Sequence, residues 1–262
     1  PASSIKAITA LYALDQLGPD HVFETRLLAT GGVVNGEVQG DLILVGGGDP
    51  TLDSDDLGQM AEELKEAGII GVKGTFKVYE GAFPATFAID PEQPDHVGYN
   101  PGVSGIALNY NRVHFEWKRS GGGYDVTMEG RAGRYAPAVR AATMEVVDRS
   151  GPVYTYENKP DRDVWTVAKS ALGSGGARWL PIRRPGVYAG DIFATIARSH
   201  GIKLGDAELA EALPEGETLV THRSAKLRPI LKDMLEYSTN LTAEMVGLAA
   251  SAKRLGTVPS LR

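Results

Sequence analysis

The sequence has 262 residues, with 27 lysines and arginines against 33 aspartates and glutamates, so its formal net charge at pH 7 is −6. This acidic balance argues against a dedicated nucleic-acid-binding protein, which normally carries a basic surface. The hydrophobic content of 42% is ordinary and allows a sizeable core. No apolar run approaches the roughly 20 residues that a membrane-spanning helix needs, so no transmembrane segment is expected.

The chain contains no cysteine, which excludes disulfides, thiolate metal sites and cysteine nucleophiles. Its five histidines show no ligand spacing, so we expect no metal and no cofactor. It starts at Pro1, and no segment resembles a secretion signal. Residues 258–262 come after a predicted helix and contain no obvious closing element. We therefore expect a fragment at both ends.

The first third of the chain alternates helical and strand patterns. Gly18-Pro19 ends an apolar helical repeat, and Asn35-Gly36 is typical of a tight hairpin turn. The predicted elements are a helix over 4–17, strands within 22–45, a helix over 53–68 and a strand over 72–80.

The middle of the chain predicts mainly β-structure, and its end predicts helices. Residues 82–105 are rich in Pro, Gly and Asp and predict a loop, whereas β-branched and aromatic residues dominate parts of 106–182. One helix at the start and two at the end can pack together with the middle inserted between them. The predicted elements are strands at 113–117, 124–128, 144–147 and 163–167, Gly-rich turns at 120–123 and 173–176, and helices at 188–200, 226–237 and 240–255.

A Ser-x-x-Lys motif, Ser3 to Lys6, lies at the start of the first predicted helix. Residues i and i+3 share one helical face, so the Lys6 amine can approach the Ser3 hydroxyl. A serine needs a base to act as a nucleophile, and a partly buried lysine can serve. The positive potential of a helix N-terminus favours a developing oxyanion. Alone the motif is weak, because a serine at a helix start is more often a cap.

A second motif, Ser238-Thr239-Asn240, lies between the last two predicted helices, where a short loop can present side chains to a cleft. Ser238 can relay protons between Lys6 and a leaving amine, and the Asn240 amide can hold a substrate carbonyl. Alone, this motif also fits a residue that caps the helix starting at 240.

Together, the two motifs resemble the Ser-x-x-Lys and Ser-x-Asn elements of penicillin-binding proteins and serine β-lactamases. The segments 1–10, 17–20, 40–52 and 238–244 resemble the penicillin-binding protein 4 family, the low-molecular-mass class C D-alanyl-D-alanine carboxypeptidases/endopeptidases. About 230 residues separate the motifs, which is typical of the inserted domains of that family and not of ordinary β-lactamases.

The resemblance implies an α+β fold. A transpeptidase-like catalytic domain, with helices on an antiparallel sheet that is incomplete here, would contain residues 1–22 and 221–262. Residues 23–220 would form large inserted α/β and β-rich domains, with the β-rich outer part at about 82–182. Asp49, in the Gly-Asp-Pro block, is interpreted as a turn residue and not as a catalyst.

The resemblance also implies an acyl transfer on peptidoglycan peptides. Ser3 would attack a D-alanyl carbonyl, Lys6 would be the general base, Ser238 the relay and Asn240 the substrate holder. The Ser3 backbone N–H would supply one half of the oxyanion hole. β-Lactam antibiotics would acylate the same serine, and the protein would act in the periplasm or otherwise outside the cytoplasm, where peptidoglycan lies.

The sequence departs from the family pattern in one respect, because it contains no Lys-Thr-Gly motif; Lys73-Gly74-Thr75 has the wrong order. The resemblance implies that this motif lies downstream, so we expect the chain to stop before it and to turn over little substrate as it stands.

Two other interpretations stay open. The chain could be another Ser-Lys hydrolase of the same fold, a β-lactamase or esterase, against which the long insertion argues. It could also be a non-catalytic cell-wall-binding module in which both motifs are helix caps. The position of Ser3 relative to Lys6 and Ser238 discriminates between catalysis and capping.

Overall fold

The computed structural model describes residues 2–256 and has an α+β architecture. Pro1 and residues 257–262, which the expected catalytic domain includes, lie outside this range. The helices are α1 (Ile5–Leu17), α2 (Ser54–Glu66), α3 (Pro185–Ser199), α4 (Leu227–Tyr237) and α5 (Asn240–Leu255), with 3-10 turns at Ala2–Ser4, Asn109–Asn111 and Lys169–Ala171. The strands are β1 (Glu24–Ala29), β2 (Val33–Val34), β3 (Glu37–Val38), β4 (Leu42–Val45), β5 (Gly71–Val72), β6 (Phe76–Tyr79), β7 (Arg112–Ser120), β8 (Gly123–Glu129), β9 (Ala142–Val147), β10 (Tyr154–Asn158), β11 (Asp163–Ala168), β12 (Gly175–Pro181), β13 (Glu208–Leu209) and β14 (Glu217–Arg223).

A mixed five-stranded sheet, in the order β13-β6-β4-β1-β14, forms the centre of the fold. β1 runs antiparallel to β4 and β14, whereas β4, β6 and β13 are parallel. All four residues of β4 are buried, and their side chains alternate between the two faces of the sheet. Leu42 and Leu44 join the main core with α2 and α3, and Ile43 and Val45 join a smaller cluster. The sheet is therefore packed on both faces.

Two three-stranded sheets make up the β-rich region, in the orders β12-β7-β8 and β10-β11-β9. The fully buried Trp165 ring belongs to the main hydrophobic core. The prediction of a turn over 173–176 was wrong at its end, because Gly175 and Gly176 begin β12. A Cβ on Gly176 would lie 2.6 Å from the Trp117 ring, so this glycine serves close packing between strands.

The first helix packs with the last two. Ala10 and Ala13 of α1 share a buried cluster with Leu231 of α4 and Val246 of α5. These two small residues on α1 allow α5 to approach closely where the helices share the cluster.

Three of the five apolar residues that predicted α1 lie away from its packed face, whereas Tyr12 and Leu14 pack against the cluster shared with α4 and α5. Ile5, Ile8 and Leu11 are 47%, 62% and 69% exposed, whereas Lys6 is buried. The helical period was correct, but the buried face within residues 2–256 is the one that carries Lys6. In the same range, no helix is long and apolar enough to cross a membrane.

The start of α2 offers a test of local stability. The Asp53 side chain accepts hydrogen bonds from the N–H groups of Asp55 and Asp56, and the Asp56 carboxylate accepts one from the Asp53 N–H. We expect Asp53→Ala to lower the free energy of unfolding by about 1–2 kcal/mol, measured by denaturant titration. Gln59→Ala, on the exposed side of the same helix, should change it by less than about 0.5 kcal/mol. Equal losses for both variants would contradict a role for the cap.

Candidate active site

Ser3 and Lys6 lie one turn apart at the beginning of the first helix. Ser3 belongs to the 3-10 turn that leads into α1, and Lys6 lies on the buried face of α1. Lys6 Nζ donates a hydrogen bond of 3.2 Å to Ser3 Oγ. The i, i+3 spacing therefore puts the amine against the hydroxyl, in the way that the sequence predicted.

Ser238 approaches Ser3 from the opposite end of the sequence. It follows α4 with φ 54° and ψ 42°, a left-handed conformation that is uncommon for a residue other than glycine. Its N–H bonds the carbonyl of Met234, and its Oγ donates a 2.8 Å hydrogen bond to Ser3 Oγ. The turn lets α5 start at Asn240, only two residues later.

Asn240 completes the contact between the two motifs. Its Oδ1 accepts a 2.7 Å hydrogen bond from Lys6 Nζ, so the lysine is shared between Ser3 and Asn240. The other end of the amide, Nδ2, donates to the backbone carbonyl of Tyr99 at 3.1 Å. Tyr99 lies in the long loop between β6 and the 3-10 turn at Asn109–Asn111.

The electrostatic environment of Lys6 is unusual for a lysine. The residue is only 6% exposed, and no carboxylate of residues 2–256 lies within ion-pair distance of it. Glu244, one turn after Asn240 on α5, interacts electrostatically with Lys6. Burial raises the pKa of the Glu244 carboxyl, and the positive charge of Lys6 partly opposes this rise.

Two cavities flank Asn240. The larger, about 760 Å³, is lined by residues that include Ser3, Lys6, Glu244 and Asp90. The smaller, about 100 Å³, lies next to Tyr99 and Ser238. The larger cavity gives access to the Ser3 hydroxyl, and its volume is in the range of small-ligand sites.

The four predicted side chains, Ser3, Lys6, Ser238 and Asn240, thus form one hydrogen-bonded group. Asp49 is buried and accepts bonds from the N–H and hydroxyl of Thr51, in agreement with its interpretation as a turn residue. Residues 2–256 contain no cluster of three or more His, Asp or Glu side chains arranged to hold a metal ion.

Sequence reasoning missed the Tyr99 carbonyl, and it assigned no role to Asp90. A backbone carbonyl has no residue type of its own, so only the Pro-rich and Gly-rich composition of 82–105 marked this segment, as a loop. Nothing in the composition indicated that the loop reaches the site.

Comparison with known proteins identifies relatives of this chain. The model of the D-Ala-D-Ala carboxypeptidase 3 (S13) family matches residues 1–260. A D-alanyl-D-alanine carboxypeptidase from an Actinomadura species is 32% identical over 268 residues, which is 94% of this chain and 48% of the relative. The D-alanyl-D-alanine carboxypeptidase DacB of Haemophilus influenzae is 24% identical over 257 residues, which is 93% of this chain and 52% of that relative.

The fold is also similar to solved structures. Penicillin binding protein 4 (dacB) from Haemophilus influenzae superposes with a TM-score of 0.80 at 23% identity, over 99% of this chain and 59% of that chain. The same protein complexed with a novel β-lactam gives a TM-score of 0.73 at 22% identity, over 98% of this chain and 57% of that chain. The chain spans about half the length of the curated relatives that it matches. Because the family model covers nearly all of it, the chain belongs to the D-Ala-D-Ala carboxypeptidase 3 (S13) family.

Proposed function

We propose that this chain carries the nucleophile half of a serine D-Ala-D-Ala carboxypeptidase/endopeptidase that acts on peptidoglycan peptides outside the cytoplasm. One observation carries the proposal: Ser3 Oγ lies within hydrogen-bond distance of both Lys6 Nζ and Ser238 Oγ. A serine hydroxyl between an amine and a second hydroxyl has both a base and a relay for protons.

The proposed reaction is an acyl transfer in two steps. Ser3 Oγ attacks the carbonyl carbon of the penultimate D-alanine and passes its proton to Lys6 Nζ. The new ester bond forms as the amide C–N bond breaks, and a proton returns through Ser238 Oγ to the leaving amine. Water then cleaves the ester by the same proton path in reverse, which releases the shortened peptide and restores Ser3.

Asn240 and the backbone N–H of Ser3 bind the substrate without transferring a proton. In this proposal the Asn240 amide binds a substrate carbonyl on one side and keeps Lys6 in place on the other. The Ser3 N–H supplies one half of the oxyanion hole.

The same proposal covers the domain organisation. Residues 1–22 and 221–262 belong to a transpeptidase-like catalytic domain, and residues 23–220 are inserted in it. The shared core of α1, α4 and α5 supports this division, because it joins helices from both ends of the chain.

The hydrogen bonds weigh against a non-catalytic module with two helix caps. Ser3 bonds Ser238 across 235 positions of sequence. The N-cap of α5 is Thr239, which makes no side-chain cap bond, and Asn240 bonds Lys6 and Tyr99. The side chains of both motifs therefore bond each other rather than helix ends.

The first test is acylation by a fluorescent penicillin, followed by the intact mass of the protein. We expect one adduct per chain, absent in Ser3→Ala, because the strained β-lactam amide imitates the D-Ala-D-Ala bond. The measurement is made on the 262-residue chain, and circular dichroism shows that it is folded. Absence of an adduct from the folded wild-type chain would contradict the proposal.

Lys6 is tested through the rate of the same acylation. We expect Lys6→Met to slow it by about 100-fold or more, since a positioned general base typically contributes that factor. Lys232→Met, at an exposed lysine of α4 outside the cavity lining, is the matched control and should leave the rate within a factor of about 2. A Lys6→Met protein that reacts at the wild-type rate would exclude Lys6 as the base.

Ser238 requires two variants because its backbone is left-handed. Glycine adopts this conformation without strain, whereas alanine does not, and neither has a hydroxyl. We expect Ser238→Gly and Ser238→Ala to lower the acylation rate by similar factors of about 100, since both remove the proton relay. Ser251→Ala, elsewhere in the cavity, serves as the control. A normal rate in Ser238→Gly alone would show that the turn matters and the hydroxyl does not.

A further inference from the structure

The loop that meets Asn240 is built around one buried arginine. This segment, loop 87–100, contains no helix or strand. The Arg183 side chain, 1% exposed, donates to the carbonyl oxygens of Phe87, Asn100 and Asp95. Buried carbonyls need such partners, and the planar guanidinium can serve several of them at fixed angles. Arg183 therefore supplies these carbonyls with the hydrogen bonds that a helix or strand would otherwise provide.

A second contact closes the loop on itself. Asn100 is 2% exposed, and its amide both accepts from the Asp90 N–H at 2.8 Å and donates to the Asp90 carbonyl at 2.7 Å. Asp90 in turn lines the cavity at Ser3. The end of the loop and its cavity-lining part are thus held together, and Arg183 bonds the same Asn100 through its carbonyl.

The loop meets the catalytic group through the neighbouring peptide. The Tyr99 carbonyl accepts a hydrogen bond from Asn240 Nδ2, and the next carbonyl along the chain, that of Asn100, accepts from Arg183. A carbonyl only accepts, so it selects the NH₂ end of the Asn240 amide. The amide oxygen must then point the other way, toward Lys6 Nζ. If Tyr99 moved, the amide could turn its NH₂ group toward Lys6, and it would then offer no acceptor to the protons of the lysine amine.

We propose that Arg183 is a positioning residue for the acylation of Ser3, because it holds loop 87–100 where the Tyr99 carbonyl orients the Asn240 amide. Arg183 acts through Tyr99 and Asn240 and does not touch the reacting atoms. This inference rests on the proposed function, since its readout is the rate at which Ser3 is acylated.

The test is a double-mutant cycle on the rate of Ser3 acylation by a penicillin, followed by intact mass. Arg183→Lys keeps the charge but loses the planar guanidinium that bonds three carbonyls. We expect an acylation rate at least about 10-fold lower, since a small misplacement of a residue remote from the reacting atoms can cost about 100-fold. In an Asn240→Ala background the same change should cost less than about 2-fold, because the amide through which Arg183 acts is gone. Arg184→Gln is the matched control: its guanidinium bonds Asn158 outside loop 87–100, so the rate should stay at the wild-type value.

Equal factors in the two backgrounds, or a wild-type rate in folded Arg183→Lys, would overturn the inference. Circular dichroism and thermal unfolding show whether each variant is folded. If Arg183→Lys does not fold, Asn100→Ala replaces it, since it loosens the same loop and should show the same loss of effect when Asn240 is absent. A wild-type chain whose Ser3 is never acylated would instead reject the proposed function, so the two failures are distinguishable.

Discussion

The site depends on the two hydrogen bonds that the buried Lys6 amine donates. The amine bonds Ser3, three positions earlier, and Asn240, 234 positions later. A buried charged or polar group is tolerated only when its hydrogen bonds are made. The two hydrogen bonds of Lys6 therefore require one relative translation and one relative rotation of α1 and α5. The alanines beside Lys6 on α1 allow this close approach. The lysine thus ties the first and last described helices together at the point where the serine lies.

That requirement extends into the inserted part of the chain. Lys6 needs an acceptor, and the Asn240 amide offers one only when its oxygen faces the lysine. The orientation is fixed by Tyr99, in a loop with no strand or helix of its own. The loop is shaped by the side chain of Arg183, which directly follows the β-rich region, just beyond β12. The region between the motifs therefore helps to hold a site whose side chains come from its two ends.

Sequence reasoning reached the helices and the four polar side chains because each leaves a local signal. The repeat of apolar residues marks α1, α4 and α5, and the Ser-x-x-Lys spacing needs only one helical turn. The hydrogen bond between Lys6 and Asn240 had no local signal and was not predicted, because Asn240 was expected to hold a substrate carbonyl. The buried face of α1 was also out of reach, because the strongest apolar repeat, Ile5, Ile8 and Leu11, is exposed within residues 2–256.

The elements that were missed share a physical cause. β14, over Glu217–Arg223, is an edge strand of the central sheet with one buried residue, Val220, so it shows little hydrophobic alternation. β10, over Tyr154–Asn158, is likewise an edge strand without a fully buried residue. Edge strands are specified by the neighbour that they pair with more than by their own pattern. The contact of the Tyr99 carbonyl with Asn240 left no sequence signal at all, because any residue at that position would present the same oxygen.

Backbone strain is concentrated where these constraints meet. Among residues 2–256, non-glycine residues with a left-handed φ occur at Asn35, at Asn109–Asn111 and at Ser238. Asn35 belongs to the tight hairpin that its sequence predicted. The other two adjoin the first turn of α5: Ser238 precedes it, and Tyr110 packs on the cluster that contains Leu241. Glycine at 238 would relieve strain of about 1–3 kcal/mol but would leave Ser3 Oγ without its neighbouring hydroxyl. A serine in this conformation follows the needs of the site and not those of the turn, which is the pattern expected where local preference and function disagree.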